Sequence, residues 1–300
     1  MDDSRKNSKT AAEEKMEGWL RAASALPAHH VVLLLANEVI HNPDAGAKDL
    51  EEVLALDPAV AMKVLRLSAS AAYGGECAET LLLALMRIGF TAAGDVLKVF
   101  SKLQKQGTFS PRAQKVYQDL WAHSVISGLA AREIFRRAGV TNQEMLDKAR
   151  LAGLLHDMGR LLLLAGAPER HELVIHGNLN GHLGSPARET KVFGFDHQEL
   201  GRVAGDTWNL GEEMTLVLSA HHKESLPGRE FILPNLAHLA DWVALKIQDE
   251  WQPDLEEPSQ ASLKALHLDP KELRLSIAAV KHQWKKVVEY LEEATPMEQD

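Results

Sequence analysis

Residues 154–163 read LLHDMGRLLL, a histidine and an aspartate side by side between two blocks of leucine. Apolar residues on both sides, continuing through Leu161–Ala167, place this segment in a protein interior. An ionised carboxylate in such an interior costs several kcal/mol unless it is paired or holds a cation. Asp157 therefore requires a partner, and His156 beside it offers an imidazole nitrogen. Adjacent residues of a continuous helix point about 100° apart, so the two side chains can share one ion only at their common edge. A lone His-Asp pair also arises by chance, so the rest of the chain has to decide what it is.

Outward from this segment, apolar residues recur at three- and four-residue spacing almost throughout, and alternating strand-type runs are scarce. The expected fold class is all-α. Pro111 opens a long helix through about Ala138, and another runs from Asn142 past His156. A third covers roughly Pro168–Asn180, and Ser185-Pro186 starts a short one. Asp196 caps a helix through Trp208, helices follow near 211–222 and 233–250, and Pro253–Gln260 is a loop. Pro270 opens a last helix to about Glu293. Towards the N-terminus, an apolar run Val31–Ile40 ends at Asn42-Pro43-Asp44. Asp57-Pro58 starts a helix to about Ser70, with Asp as N-cap and Pro at the first helical position. Tyr73-Gly74-Gly75 breaks the chain, and helices near 78–87 and 91–104 are parted by Gly89. The polar stretch Gln104–Ser110 is the best internal boundary. The expected organisation is a leader over 1–17, an N-terminal helical subdomain over 18–108 and a second helical subdomain over 109–295.

Composition narrows the function. The net charge is −9, and the one basic cluster, Lys281–Lys286, sits on a helix that turns acidic at Glu289, so no nucleic-acid partner is expected. The longest apolar runs fall short of the roughly 18–20 residues that span a bilayer, so no membrane partner is expected. Cys77 is the single cysteine, which rules out an intrachain disulfide and fits a cytoplasmic setting. The N-terminal stretch has no apolar core of the kind a secretory signal needs.

The remaining candidates lie on successive helices. His123 stands in LWAHSVISGLAAREIF with Asp119 one turn earlier. His197 follows the cap Asp196, His221-His222 end a helix carrying Leu216, Val217 and Leu218, and Asp241 sits inside LAHLADWVALKI. Each has a plainer explanation: a core histidine, a hydrogen-bonded pair at a helix end, a cap, a helix C-terminus or a bonded buried aspartate. Together they form a nitrogen and oxygen ligand set without a thiolate. That set suits Fe, Mn, Zn or Ni better than a structural cysteine–zinc site.

The order H…HD…D resembles the HD superfamily of metal-dependent phosphohydrolases. Four segments resemble the HDOD domain, a bacterial signalling relative: LPAHHVVLLL (26–35), DPAVAMKVLRLSASAAYG (57–74), FGFDHQELGRVAGDTWNLGEEMTLVLSAHH (193–222) and LAHLADWVA (236–244). The resemblance implies an N-terminal helical bundle packed against an HD-type helical subdomain. At the ligand positions the chain is also similar to HD-GYP phosphodiesterases of cyclic di-GMP. That likeness implies one metal site of His123, His156, Asp157 and Asp241, and a second of His197, His221 and His222, with Asp157 bridging. It places Asp119 where some of those enzymes have an extra carboxylate. Two departures stand out. Arg160 replaces a lysine, and KESLPGREF follows His221-His222 where the HHE…GYP signature would continue.

The resemblance implies two divalent ions, Fe or Mn favoured and Zn or Ni acceptable. They would activate water and clamp a phosphate at a separation of about 3.5–4 Å. Asp157 and Arg160 are the expected catalytic residues, with Arg160 or Lys223 on a phosphoryl oxygen. The expected function is a metal-dependent phosphohydrolase acting on a phosphoester or nucleotide. The alternative is a non-catalytic regulatory or scaffolding module whose metal is structural or sensory, working with a signalling partner on another chain.

Overall fold

The computed structural model describes residues 11–22, 26–104, 109–175, 185–223, 228–248 and 257–295, and all their regular structure is helical. Helix α1 (Ala11–Ala22) crosses the expected end of the leader. It packs on the second half of the chain, with Met16 and Leu20 buried. Residues 1–10 lie outside the described residues.

Helices α2 (His30–His41), α3 (Ala47–Leu54), α4 (Pro58–Ser68) and α5 (Leu81–Gln104) form the N-terminal bundle, with a short 3-10 turn at Ala71–Tyr73. The Asp57-Pro58 start is as expected: Asp57 accepts from the amides of Ala59 and Val60, both at 2.9 Å. The same carboxylate takes the His29 amide at 2.6 Å and is fully buried. As expected, Gly89 parts α5 into two helical halves, since its backbone leaves the helix at φ 76° and ψ 169°.

Helix α6 (Pro111–Arg137) starts at the Ser110 hydroxyl, which accepts from the Ala113 amide at 3.2 Å. Helix α7 (Gln143–Leu155) starts at Asn142, whose side chain accepts from Met145. These two helices cross so closely that a Cβ on Gly153 would overlap the Ser127 carbonyl oxygen. The crossing brings His123, near the middle of α6, to the end of α7. The N-terminal bundle is joined here too, since Trp121 Nε1 donates to the Leu56 carbonyl at 2.8 Å.

The helix expected to run past His156 is two helices. Helix α7 ends at Leu155, Asp157 adopts φ −96° and ψ 19°, and α8 (Met158–Gly166) begins immediately. A continuous helix would turn the two side chains about 100° apart. The break lets both face the same space. Helices α9 (Pro168–Ile175), α10 (Pro186–Phe193), α11 (His197–Thr207) and α12 (Glu212–Ala220) follow. Residues 176–180 of the expected third helix lie outside the described residues. Helix α13 (Ile232–Gln248) packs on α6, α7 and α12, and α11 packs on α8 and α12. A 3-10 turn at Arg229–Phe231 leads into α13.

Residues 249–256 lie outside the described residues, and with them most of the expected Pro253–Gln260 loop. An unanticipated short helix, α14 (Gln260–Ala265), follows. Helix α15 (Pro270–Glu293), capped by Asp269, lies against α6 and α13. No helix among the described residues is long and apolar enough to cross a membrane.

Candidate metal centre

Five elements converge on one buried point. His123 comes from α6, His156 and Asp157 from the α7–α8 break, His197 from the first residue of α11, His221 and His222 from the end of α12, and Asp241 from the middle of α13. All are buried except His222, which is partly exposed. Close backbone approach sets the relation of α8 to α11. A Cβ on Gly159 would overlap the His197 carbonyl oxygen, so only glycine lets the two helix starts meet.

The side chains fall into two groups. In the first, His123 Nε2 lies 3.1 Å from Asp241 Oδ1, 3.4 Å from His156 Nε2 and 3.8 Å from Asp157 Oδ2. His156 Nε2 is 3.7 Å from the same Asp157 oxygen. In the second, Asp157 Oδ1 lies 3.4 Å from His197 Nε2 and 3.3 Å from His221 Nε2, and those two nitrogens are 3.3 Å apart. His222 completes that group, with one ligand atom from each member lying within 4.8 Å of the others. The two oxygens of Asp157 thus face different groups.

Hydrogen bonds on the far side of each ring fix what points inward. His156 Nδ1 donates to the Gly153 carbonyl and His221 Nδ1 to the Val217 carbonyl, both at 2.8 Å. His197 Nδ1 donates to Glu189 Oε2 at 2.6 Å, and His123 Nδ1 to Gln248 Oε1 at 2.9 Å. A carbonyl or carboxylate oxygen only accepts, so each Nδ1 carries a proton and Nε2 is the ring nitrogen turned inward. Burial opposes protonation of His123, but Asp241, Asp157 and Gln248 together outweigh it and raise its pKa. Burial pushes His156 down to about 4, so it stays neutral. Burial, with His221 and His197 nearby, holds His222 well below the ordinary histidine range. Burial opposes ionisation of Asp157, but the Arg160 guanidinium, with His156, His221 and His197, together outweighs burial and holds the carboxyl well below its usual range.

Imidazole nitrogens and carboxylate oxygens facing one another at 3.1–3.4 Å repel unless a proton or a cation lies among them. Asp157 Oδ1, buried, has no hydrogen-bond partner among the described residues. Charge points the same way: the ionised Asp157, Asp241 and Glu189 outnumber Arg160, leaving an anionic centre. The donor set fits a divalent metal and could hold one.

Arg160, expected on a phosphoryl oxygen, is directed at residues of the centre itself. It is buried, with Nε 3.0 Å from Asp157 Oδ2, Nη1 3.7 Å from Glu189 Oε1 and Nη2 donating to His222 Nε2 at 3.3 Å. Burial lowers its pKa, but Asp157 and Glu189 outweigh that and raise it. Lys223 is exposed next to His222. Asp119 belongs to neither group. Its carboxylate pairs with Lys115 at 2.7 Å, and only its backbone carbonyl touches the centre's surroundings, accepting from Gln248 Nε2 at 3.1 Å.

Two contributors went unnoticed in the sequence. Gln248 stands seven residues after Asp241, two turns along one helix face, and that spacing could have revealed it. Glu189 sits on a separate helix, eight residues before His197, and carries no local signal.

The HDOD domain model matches residues 26–224. A Treponema pallidum (strain Nichols) protein is 25% identical over 197 residues, which cover 63% of this chain and only 36% of that relative's length. Among solved structures, the MmoQ response regulator from Methylococcus capsulatus strain Bath aligns with a TM-score of 0.65 at 21% identity, covering 84% of this chain and 98% of its own. A Campylobacter jejuni protein described as a virulence factor aligns at 0.66 and 12% identity, covering 92% and 98%. An HDOD domain protein from Geobacter sulfurreducens aligns at 0.50 and 19% identity, covering 95% and 100%. These likenesses carry the fold, and the match of the family model over most of the chain carries membership: the chain belongs to the HDOD domain family.

Proposed function

We propose that this chain is a bacterial signal-transduction protein that hydrolyses a phosphoester or nucleotide with two divalent ions held around Asp157. The supporting observation is the division of Asp157 between two groups of inward-facing ligands, Oδ2 towards His123 and His156, Oδ1 towards His197 and His221. Asp241 completes the first position and His222 the second. When bound, such a pair of ions supplies Lewis acidity that lowers the pKa of water and draws charge from a phosphoryl oxygen. Fe or Mn suits the mixed imidazole and carboxylate set best, with Zn or Ni acceptable.

The chain's own residues do the rest. Asp157 would hold an ion with each of its oxygens, and Arg160 helps keep it ionised and oriented, acting as a positioning residue. The partly exposed His222 marks the side from which a substrate reaches the centre, and Lys223 stands there to meet an anionic group. A response regulator among the structural relatives supports a signalling role with a partner on another chain.

A second reading, a regulatory module with a structural or sensory metal, is favoured by one observation. Arg160 is held by the protein's own carboxylates, Asp157 and Glu189. The experiment separating the two measures metal content after iron- and manganese-replete expression, then turnover on a panel of phosphomonoesters, phosphodiesters and nucleotides. His156→Ala and Asp157→Ala serve as controls. Two ions with turnover abolished in both variants supports the phosphohydrolase. Ions without turnover supports the regulatory module, and a metal-free wild type removes both.

A further inference from the structure

We propose that Glu189 is the positioning residue of the second ion, acting through His197; this rests on the two-ion reading above. The four buried ligand rings are oriented by different acceptors. His156 and His221 donate to backbone carbonyls three and four residues earlier, which their own helices supply, and His123 donates to the neutral amide of Gln248. His197 alone donates to a carboxylate. Glu189 belongs to a different helix and is fully buried.

One oxygen makes both contacts. Glu189 Oε2 accepts from the His197 ring at 2.6 Å and from the His197 backbone amide at 2.9 Å. The first bond fixes the tautomer and ring plane, and the second fixes where the residue starts α11. Together they aim Nε2 at Asp157 Oδ1 and His221. A carboxylate partner also makes the imidazole a stronger donor to a metal than a neutral acceptor does.

A helix start needs no buried charge for capping, and Asp196 already caps α11 through the Glu199 amide at 2.9 Å. An ionised carboxylate here costs free energy that the fold alone does not require. Arg160 Nη1, 3.7 Å from Glu189 Oε1, links this carboxylate to Asp157, so the two anionic residues around the second position share one guanidinium.

The test uses Glu189→Gln, which keeps the shape and one acceptor but removes the charge, and Glu189→Asp, which keeps the charge on a shorter arm. Metal titration of the full chain is read as ions bound per chain. Wild type is expected to take two. Glu189→Gln is expected to keep one at wild-type affinity and to bind the other about 10–100-fold more weakly, with partial recovery in Glu189→Asp. Histidine side-chain 1H–15N spectra of the ion-free protein give an independent readout. His197 should be Nδ1-protonated in wild type and mixed in Glu189→Gln, with His123 unchanged.

Two ions at wild-type affinity and an unchanged His197 tautomer in Glu189→Gln would overturn the proposal. A wild type that binds fewer than two ions sinks the two-ion reading, and the tautomer spectra still decide the role of Glu189. Should Glu189→Gln fail to fold by circular dichroism, Glu189→Asp carries the same two measurements: one ion weakened together with a mixed His197 tautomer supports the role, and wild-type affinity or a weakened ion with a wild-type tautomer counts against it.

Discussion

Arg160 lies one helical turn after Asp157 and places Nε 3.0 Å from its Oδ2, with both side chains buried. Removing one partner of a buried ion pair leaves the other charge uncompensated, which costs about 3–5 kcal/mol. Arg160→Met is therefore expected to lose stability of that order in urea unfolding of the metal-free protein. Added metal should recover part of it, because a cation at Asp157 replaces the lost charge. Arg160→Met unfolding like wild type would mean the pair contributes nothing.

Gly159 touches the centre without supplying a ligand. A Cβ there overlaps the His197 carbonyl oxygen, so Gly159→Ala must push α11 away from α8. Overpacking of this kind costs about 1–3 kcal/mol. The displaced ring belongs to the second position only, so metal titration is expected to show one ion retained and one weakened.

Gln248 offers the mirror experiment. Its Oε1 accepts from His123 Nδ1 and its Nε2 donates to the Asp119 carbonyl, which locks the amide's orientation. Gln248→Leu removes the acceptor and should weaken the first ion by about 10–100-fold while sparing the second. Equal weakening of both would indicate that the two positions cannot fill separately.

Asp57 gives a pH dependence remote from the metal centre. Burial raises its pKa to about 6 from 3.8, against three backbone hydrogen bonds that lower it. The folded chain therefore holds a proton at pH values where the unfolded chain has released it. The contribution of this group to stability is greatest below about pH 4 and declines as pH rises through about 6. Urea unfolding of wild type and Asp57→Asn from pH 4 to 7 should show this as a difference that shifts in favour of the variant as pH rises. A constant difference across that range would exclude it.

Much of the fold is legible in the sequence because helix starts are local. Asp57-Pro58, Ser110-Pro111, Asp196 and Asp269-Pro270 each begin a helix where expected, and each capping side chain reaches an amide two or three residues on. The α7–α8 break was not legible. Leucines flank His156-Asp157 on both sides with a spacing that suits one helix, yet the backbone leaves the helix at Asp157.

The sequence by itself determined which atoms are available: five imidazoles and two carboxylates on apolar helices, with no thiolate to compete. Tertiary structure decided how they divide. Asp119 shares a helix face with His123, yet it turns to Lys115 at the surface. Arg160 turns inward to Asp157, and Glu189 reaches His197 from another helix. The physical reason is range. A cap is settled within a few residues of chain, whereas His123 and Asp241 meet at 3.1 Å only because α13 packs on α6. Burial then leaves their charges no solvent to turn to.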